Sequence, residues 1–185
     1  PKADDTVNYG GIGAGIGHKI THGFDDQGRQ YDAQGNLRDW WTKEDAEKFE
    51  QRADMVGKQY SAFSPLDSVY VNGKLTMGEN LADLGGLSIA YTALQKQLQK
   101  EYGANPRPKY DGLTPEQRFF LAWAQVWRTN ARPEYLRQQV LTDPHSPAQF
   151  RTSGPLMNMP QFYEAFGCKE GTKMVRAQAE RAKVW

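Results

Sequence analysis

The sequence predicts a mainly α-helical domain, and three observations support this fold class. Two of the three histidines, His18 and His22, lie four residues apart in a Gly-rich stretch, a spacing that places both side chains on one face of a helix. Only one short run, residues 69–71, has the composition of a β-strand. Further segments combine apolar residues at helical spacing with helix start or stop signals. These segments are residues 40–61, 76–100, 115–129, 133–141 and 160–166.

The Gly-rich stretch predicts a helix over about residues 6–24. Each glycine lowers helix stability by about 1 kcal/mol relative to Ala, so we expect close packing against another element rather than autonomous stability. The stretch lacks the complete Gly-x-Gly-x-x-Gly pattern and follows no strand, which excludes a nucleotide site. In the turn-rich segment that follows, Tyr31 stands where an EF-hand loop beginning at Asp26 needs Gly, which excludes that calcium motif.

The later helices are justified by their caps and apolar residues. Asp39 is the expected N-cap of the charged helix over 40–61, and Thr114 that of the helix over 115–129. Pro133 opens the helix over 133–141, and residues 142–158, rich in Pro and Ser, are predicted to form a long loop. The residues expected to be buried are Trp41, Phe49, Met55, Phe119, Phe120, Trp123 and Trp127.

Length and charge limit the classes of protein to consider. The 185 residues are enough for one domain with its own core. A net charge of +1 gives no electrostatic reason to expect nucleic acid or an anionic membrane as partner. No apolar run approaches the ~20 residues of a membrane-spanning helix. Cys168 is the only cysteine, so its thiol is either free or bonded to another polypeptide.

The His18–His22 spacing is that of the zinc half-site in the helical His-Glu-x-x-His motif. Zinc peptidases of that type use two His and one carboxylate, and they leave one coordination position open. Glu79, on a separate predicted helix, is the best candidate for the third ligand. A third histidine ligand is excluded, because Asp25 and Gly28 stand where the corresponding motif has Gly and His.

Each of these residues also has a structural interpretation. A His pair at this spacing is often ordinary polar surface, and Glu79 follows Thr76 at the spacing of a helix capping box. Asp83 lies on the same helix face as Glu79, where its carboxylate can either hold a ligating His or be simply solvated. His145 can be a loop residue without a chemical role.

Seven stretches carry longer patterns, and they occur in order over nearly the whole chain. They are residues 8–13, 18–26, 39–41, 78–86, 143–151, 154–158 and 184–185. Together they resemble the neprilysin family of zinc endopeptidases, in particular the C-terminal, zinc-carrying part of a bacterial-type oligopeptidase. The resemblance implies part of a thermolysin-like catalytic domain, mainly α, with two zinc-carrying helices and long loops.

The resemblance also implies a set of site residues. One zinc ion would be held by His18 and His22 on the helix over about 6–24, and by Glu79 on the helix over about 76–100. An enzyme of this family hydrolyses small peptides and is expected in an extracytoplasmic location, secreted or periplasmic.

Three further residues match the family's functional positions. Asp83 corresponds to the aspartate that supports a zinc His and sometimes serves as proton donor. His145 corresponds to the residue that stabilises the developing oxyanion. Arg151 corresponds to the residue that binds the substrate backbone, and it lies with His145 in the substrate loop over about 142–158.

Lys19 departs from the family, because it stands where the family has its catalytic Glu. An ammonium has no lone pair with which to accept a proton, and loss of a general base lowers the rate by about 10²–10⁴-fold. We therefore expect this chain to hydrolyse peptides poorly or not at all. The alternatives are an inactive relative that binds zinc and peptides or acts as a scaffold, and a zinc-free interaction fragment.

The chain also lacks parts of the family pattern. The N-terminal helical domain has no counterpart here, and Pro133 replaces Tyr in the run nearest to the substrate-aligning Asn-Ala-x-Tyr segment. Ala182 stands where vertebrate members carry a Cys, so one family disulfide is absent. We expect the upstream half of the enzyme as a partner, covalent or as a separate chain, and we do not expect the 185 residues to fold or work alone.

Overall fold

A computed structural model describes residues 4–184, which are mainly helical, as predicted. The predicted strand at 69–71 is wrong, because that segment contributes only an isolated bridge between Leu66 and Val69. Trp185, in the last matched motif, lies outside the described residues. The α-helices are α1 Asp5–Asn8, α2 Ala14–Thr21, α3 Lys43–Ser61, α4 Met77–Tyr102, α5 Pro115–Val126, α6 Pro133–Thr142, α7 Ala148–Leu156 and α8 Pro160–Phe166. A π-helical turn covers Tyr9–Gly13, and 3₁₀ turns cover His22–Phe24, Gly28–Gln30 and Gln178–Glu180.

The helix predicted over 6–24 is a continuous helical run from α1 through the π-turn and α2 to the first 3₁₀ turn. Asp4 caps its start, since its carboxylate accepts from the Val7 amide at 3.0 Å. Inside the run, a Cβ at Gly10 would lie 2.2 Å from the Phe119 carbonyl oxygen of α5. Glycine is therefore needed for this close approach, which confirms the packing expected from the Gly-rich stretch.

Helices α2 and α4 touch backbone to backbone beside the predicted metal ligands. A Cβ on Gly86 of α4 would lie 2.3 Å from the His18 amide nitrogen and 2.7 Å from the Ala14 carbonyl oxygen. On the other helix, a Cβ on Gly17 would lie 2.7 Å from the Gly86 carbonyl oxygen. These two glycines set the distance between the helix that carries both histidines and the helix that carries Glu79.

Replacing Gly86 with Ala is expected to destabilise the protein, because backbone atoms cannot move aside as a flexible side chain can. Overpacking of this kind costs about 1–3 kcal/mol, measurable as a lower midpoint in denaturant unfolding. Gly15→Ala is the matched control: no atom lies within 4 Å of a Cβ at Gly15, so the gain in helix propensity of up to about 1 kcal/mol should dominate. Equal midpoints for the two variants would contradict the close contact.

The core lies where α3, α4, α5 and the segment after α7 meet. Phe119, Phe120 and Trp123 are buried as predicted, whereas Trp127 is only partly buried at the end of α5. None of the described helices combines the length and apolarity needed to cross a membrane. The largest fully buried apolar side chains are Trp123, Tyr60, Phe119, Phe120, Leu81, Leu87, Leu94 and Val56.

Several predicted boundaries differ from the structure; α5, for example, ends at Val126 rather than at residue 129. Helix α3 begins at Lys43 rather than at residue 40, because Thr42 is the N-cap and accepts from the Asp45 amide at 3.1 Å. Acidic residues in the first turn further favour this start.

The loop predicted over 142–158 contains the helix α7, so that prediction is wrong over Ala148–Leu156. The prolines that suggested a loop stand at its two ends, with Pro147 as N-cap and Pro155 in the last turn. Tertiary packing explains the helix: the Phe150 ring stacks on Phe63 with centroids 4.6 Å apart.

Candidate metal centre

His18, His22 and Glu79 converge on one point between α2 and α4. The Nε2 atoms of the two histidines are 3.0 Å apart. Glu79 Oε2 lies 3.2 Å from His18 Nε2, and Glu79 Oε1 lies 3.3 Å from His22 Nε2. The structure thus brings together the three ligands that the sequence predicted, and their metal-binding atoms all lie within 4.8 Å of one another.

The other ring nitrogens are held by carboxylates. Asp83 Oδ1 lies 2.8 Å from His18 Nδ1, and Asp25 Oδ2 lies 2.7 Å from His22 Nδ1. These oxygens can only accept, so they bind the Nδ1 side of each ring and leave Nε2 as the nitrogen that would face a metal ion. Two imidazole Nε2 atoms and the Glu79 carboxylate therefore face one another, an arrangement that a cation at their centre would stabilise.

The geometry and chemistry of these donors fit zinc. A tetrahedral zinc site with bonds of about 2.0–2.1 Å has neighbouring ligand atoms about 3.3 Å apart. The two Nε2 atoms are 3.0 Å apart, and each lies 3.2 or 3.3 Å from one of the two Glu79 oxygens, all close to that value. Two imidazoles, one carboxylate and carboxylate partners on both far nitrogens are a set that zinc prefers in peptidases.

The electrostatic environment favours positive charge at this point. Burial alone would lower the pKa of the His18 imidazole, but hydrogen bonds to Asp83 and Glu79 outweigh it and raise the pKa. Burial would likewise raise the pKa of Glu79, yet the hydrogen bond from His18 and the positive charge of Arg151 lower it to about 2. Glu79 is therefore a carboxylate at neutral pH, as a metal ligand must be.

Glu79 does not act as a helix cap. Thr76 is the N-cap residue of α4, but its side chain forms no capping hydrogen bond. Its hydroxyl instead donates to the Asn72 carbonyl oxygen at 3.1 Å. The capping-box interpretation is therefore wrong, and the Glu79 carboxylate is left to face the two histidines.

Arg151, on α7, lies beneath the acidic residues of α4. Its Nε donates to Asp83 Oδ2 at 2.8 Å, and its Nη2 donates to Asp83 Oδ1 at 2.8 Å and to Glu79 Oε2 at 3.1 Å. The guanidinium carbon lies 4.0 Å from the centroid of the Trp127 ring. Among the described residues, Arg151 Nη1 forms no hydrogen bond, so that nitrogen is the one left for a ligand.

His145 lies at the edge of the site, with 44% of its side chain exposed. Its Nε2 is 3.3 Å from Glu79 Oε1, and its Nδ1 is 2.7 Å from Asp143 Oδ1. Burial would raise the pKa of the Asp143 carboxyl, but hydrogen bonds from the His145 amide and ring outweigh it and lower the pKa. Both ring nitrogens thus face carboxylate oxygens.

Lys19 lies on α2 between His18 and Ile20, and its side chain is exposed. It forms no hydrogen bond or ion pair with any residue from 4 to 184. At the position of the family's catalytic Glu, the structure therefore has an exposed amine and no carboxylate.

Sequence reasoning missed two residues that hold predicted site residues. Asp25 orients His22 and also accepts from the amides of Gln27 and Gly28 at 3.0 and 2.7 Å. Asp143 orients His145 in the same way. The available signal was a carboxylate two or three residues from each histidine, a spacing common enough in turns that it carries little weight alone.

Two clefts flank the centre. One, of about 620 Å³, is bounded by His145, Arg151 and Trp127 together with residues of α6. A larger groove of about 940 Å³ contains none of the metal ligands and is lined by apolar residues such as Ile20 and Phe24. The smaller cleft is instead bordered by His145 and Arg151, two residues that contact Glu79.

The sequence profile of Peptidase family M13 matches residues 1–182. The chain belongs to peptidase family M13. This membership confirms the resemblance to the neprilysin family. By family, the chain is part of a zinc metallopeptidase.

Curated M13 relatives match along the whole chain. Neprilysin-1 of Caenorhabditis elegans is 47% identical over 187 residues, which cover 100% of this chain and 24% of that protein. Endothelin-converting enzyme 1 of Homo sapiens is 44% identical over 185 residues, covering 100% of this chain and 23% of that protein. The chain thus spans about a quarter of the length of these relatives.

Solved M13 structures share the fold. The zinc metalloprotease Zmp1 of Mycobacterium tuberculosis, in complex with an inhibitor, matches with a TM-score of 0.93 at 46% identity, covering 100% of this chain and 28% of that one. PepO from Lactobacillus rhamnosis matches with a TM-score of 0.86 at 35% identity, covering 100% of this chain and 27% of that one. The mainly helical fold is therefore that of M13 zinc metalloproteases.

Removing the Asp25 carboxylate is expected to weaken zinc binding by about 10–100-fold, because His22 would lose the partner that fixes its ring orientation. Chelator competition on the Asp25→Ala variant measures this. Asp26→Ala is the matched control, since its Oδ2 accepts from Gln27 and bonds to neither predicted histidine ligand. If the two variants bound zinc equally well, Asp25 would have no role in supporting the ligand.

Proposed function

We propose that this chain supplies the zinc centre of an M13 endopeptidase acting on small peptides, with one zinc ion held by His18, His22 and Glu79. The observation that carries this proposal is the convergence of three candidate ligand atoms, with hydrogen-bond partners on both far imidazole nitrogens. When bound, zinc would activate a water molecule and polarise the carbonyl group of the peptide bond.

His145 is proposed to stabilise the negative charge that develops on the carbonyl oxygen. Its exposed ring lies beside Glu79 and borders the cleft of about 620 Å³. Asp143 faces Nδ1 and orients the ring, so Nε2 is the nitrogen proposed to donate to the oxyanion. In the ligand-free arrangement that donor faces Glu79 instead, so a substrate would compete for it.

Arg151 is proposed to have two tasks. Its bonds to Asp83 and Glu79 hold the acidic residues of α4 in place, and the charge-assisted geometry is bidentate toward Asp83. The family resemblance adds contact with the substrate backbone, for which the Nη1 nitrogen is available. The same resemblance gives Asp83 a possible proton-donating role, but its oxygens already bond to His18 and Arg151, so we assign it to support of the ligands.

We propose that hydrolysis by this chain is weak or absent because Lys19 replaces the catalytic Glu. Its ammonium donates hydrogen bonds and accepts none, so it cannot take a proton from water. This observation favours a second candidate function, namely a zinc-loaded relative that binds peptides without cleaving them. The two candidates share the zinc centre and differ only in turnover.

Zinc titration followed by a cleavage assay tests the proposal. Metal-free complete enzyme should bind one equivalent of zinc through this centre in calorimetry, and the loaded protein should bind a short peptide. Cleavage of a quenched fluorescent peptide then separates an impaired peptidase from a non-cleaving binder. Failure to bind zinc would reject both candidates and favour the zinc-free interaction fragment.

We further propose that the upstream half of the same enzyme packs against the outer face of the zinc helix. Ile12, Ile16, Ile20 and Phe24 follow at helical spacing, and they are 68%, 56%, 55% and 44% exposed. This row of large apolar side chains continues into the apolar groove of about 940 Å³. Since the chain spans about a quarter of its relatives' length, the remaining polypeptide is the natural cover. An extracytoplasmic location stays a prediction from the family.

The isolated 185-residue chain is accordingly expected to self-associate or to unfold without a cooperative transition. Adding the upstream half as a separate polypeptide should give a monodisperse complex, measured by sedimentation, and a cooperative transition, measured by denaturant unfolding. Ile16→Gln should weaken that complementation, whereas Leu141→Gln, at a site that is also exposed (72%) but lies on α6, should leave it unchanged. A monodisperse, cooperatively folding isolated chain would contradict the proposal.

A further inference from the structure

A buried chain of hydrogen bonds connects α4 to the segment that carries His145. Ser146 Oγ donates to Asn80 Oδ1 at 2.8 Å, and Asn80 Nδ2 donates to Thr76 Oγ1 at 2.9 Å. Ser146, Asn80 and Thr76 are each no more than 2% exposed. Burying polar side chains is costly unless they are hydrogen-bonded to one another. The pairing of these three side chains beside the candidate metal centre therefore suggests a specific structural role.

The direction of each bond is fixed by its neighbours. The Thr76 hydroxyl donates to the Asn72 carbonyl oxygen, which can only accept. Thr76 Oγ1 must therefore accept from the Asn80 amide nitrogen, which turns the Asn80 carbonyl oxygen toward Ser146. Ser146 is then required as a donor, so the chain specifies a hydroxyl at this position rather than any small residue.

The chain joins two residues whose neighbours act at the site. Asn80 follows Glu79 directly, and Ser146 follows His145 directly. Apart from the contact between His145 and Glu79, the Ser146–Asn80 bond is the only hydrogen bond from residues 143–147 to α4 within the described part of the chain. Asp143 belongs to the same segment as His145 and would move with it.

We propose that Asn80 and Ser146 are positioning residues that hold the His145 imidazole at a fixed distance from the metal ligand Glu79. His145 is 44% exposed, and its own contacts are to Glu79, to Asp143 and, through its carbonyl oxygen, to Gln139 of α6. A substrate oxyanion would draw the ring away from Glu79. When the oxyanion replaces Glu79 as the partner of His145, the buried Ser146–Asn80 bond keeps the segment in place. The Nε2–H therefore continues to point toward the reaction site. This inference rests on the proposed role of His145.

Binding of a tetrahedral analogue tests the inference in the complete enzyme with Lys19 unchanged. A peptide phosphonate resembles the tetrahedral intermediate, and the matching peptide amide resembles the substrate. Ser146→Ala should weaken phosphonate binding about five- to tenfold and change amide binding and zinc affinity less than twofold, because one positioning hydrogen bond is lost. In a His145→Ala background, Ser146→Ala should have no further effect on phosphonate binding.

Ser153→Ala is the matched control, since that hydroxyl bonds only to the Gln149 carbonyl oxygen of its own helix. It should leave all affinities unchanged. If Ser146→Ala does not fold, Ser146→Cys keeps a similar volume with a weaker donor and should give a smaller effect of the same kind. Equal weakening of phosphonate and amide, or a full effect in the His145→Ala background, would overturn the inference.

A second measurement does not depend on the proposed function. The ring nitrogens of His145, assigned by comparison with His145→Ala in ¹⁵N NMR spectra, should shift toward free-histidine values in Ser146→Ala but not in Ser153→Ala. Unchanged His145 signals would overturn the positioning role. Failure of the unaltered enzyme to bind the phosphonate, with the NMR shift present, would instead reject the proposed function and keep the positioning role.

Discussion

Replacing Lys19 with Glu should raise peptide hydrolysis by about 10²–10⁴-fold in the complete enzyme, the range that a positioned general base contributes. Lys19 lies one residue after His18 on α2 and is exposed without a partner among the described residues, so a carboxylate there would meet no steric obstacle. The substitution also removes a positive charge next to the metal ligands, so zinc retention should improve. Turnover of a quenched fluorescent peptide at saturating zinc measures the first effect, and chelator competition measures the second.

Lys19→Gln separates the two contributions. It removes the charge without adding a proton acceptor, so zinc retention should improve while hydrolysis stays at the level of the unaltered chain. Equal turnover by the unaltered chain and the Lys19→Glu variant would show that the missing base is not what limits the reaction. Equal recovery in both variants would assign the impairment to charge alone.

The local features of the fold could be predicted from the sequence. Thr114 caps α5 as expected, with Gln117 completing a capping box, and Pro133 opens α6. His18 and His22 were predicted as zinc ligands because their spacing is that of a helical zinc half-site and because longer stretches around them resemble the family. Glu79 came from the family resemblance and from its position on a second helix, and the structure brings it to the histidines.

The predictions that failed concern features that depend on contacts between distant parts of the chain. Proline spacing around 142–158 indicates a loop, but the helix α7 forms because its residues pack on α3: Gly154 approaches the Tyr60 hydroxyl, and Gln59 donates to the Gly154 carbonyl oxygen at 2.9 Å. Periodicity within a short segment contains no information about such partners. The same limit applies to Arg151, whose bonds to Asp83 join residues 68 positions apart.

Loss of any one zinc ligand should reduce zinc affinity by more than the about 10–100-fold expected for an outer partner such as Asp25, because a direct bond to the metal is removed. His22→Ala and Glu79→Gln are the informative variants. Glu79→Gln keeps the shape of the side chain and removes the negative charge that lies beside the two imidazoles and Arg151. Zinc content after dialysis and chelator competition measure the effect.

His145→Ala is the control that defines the ligand set. His145 Nε2 lies 3.3 Å from Glu79 Oε1, the same distance that separates His22 Nε2 from that oxygen, so proximity alone does not distinguish the two histidines. What distinguishes them is a second neighbour: His22 Nε2 also lies 3.0 Å from His18 Nε2, and the converging group of possible ligand atoms contains His18, His22 and Glu79 but not His145. Zinc should therefore stay bound in His145→Ala and be lost in His22→Ala. Zinc loss from His145→Ala, or full occupancy in Glu79→Gln and His22→Ala, would require a different ligand set.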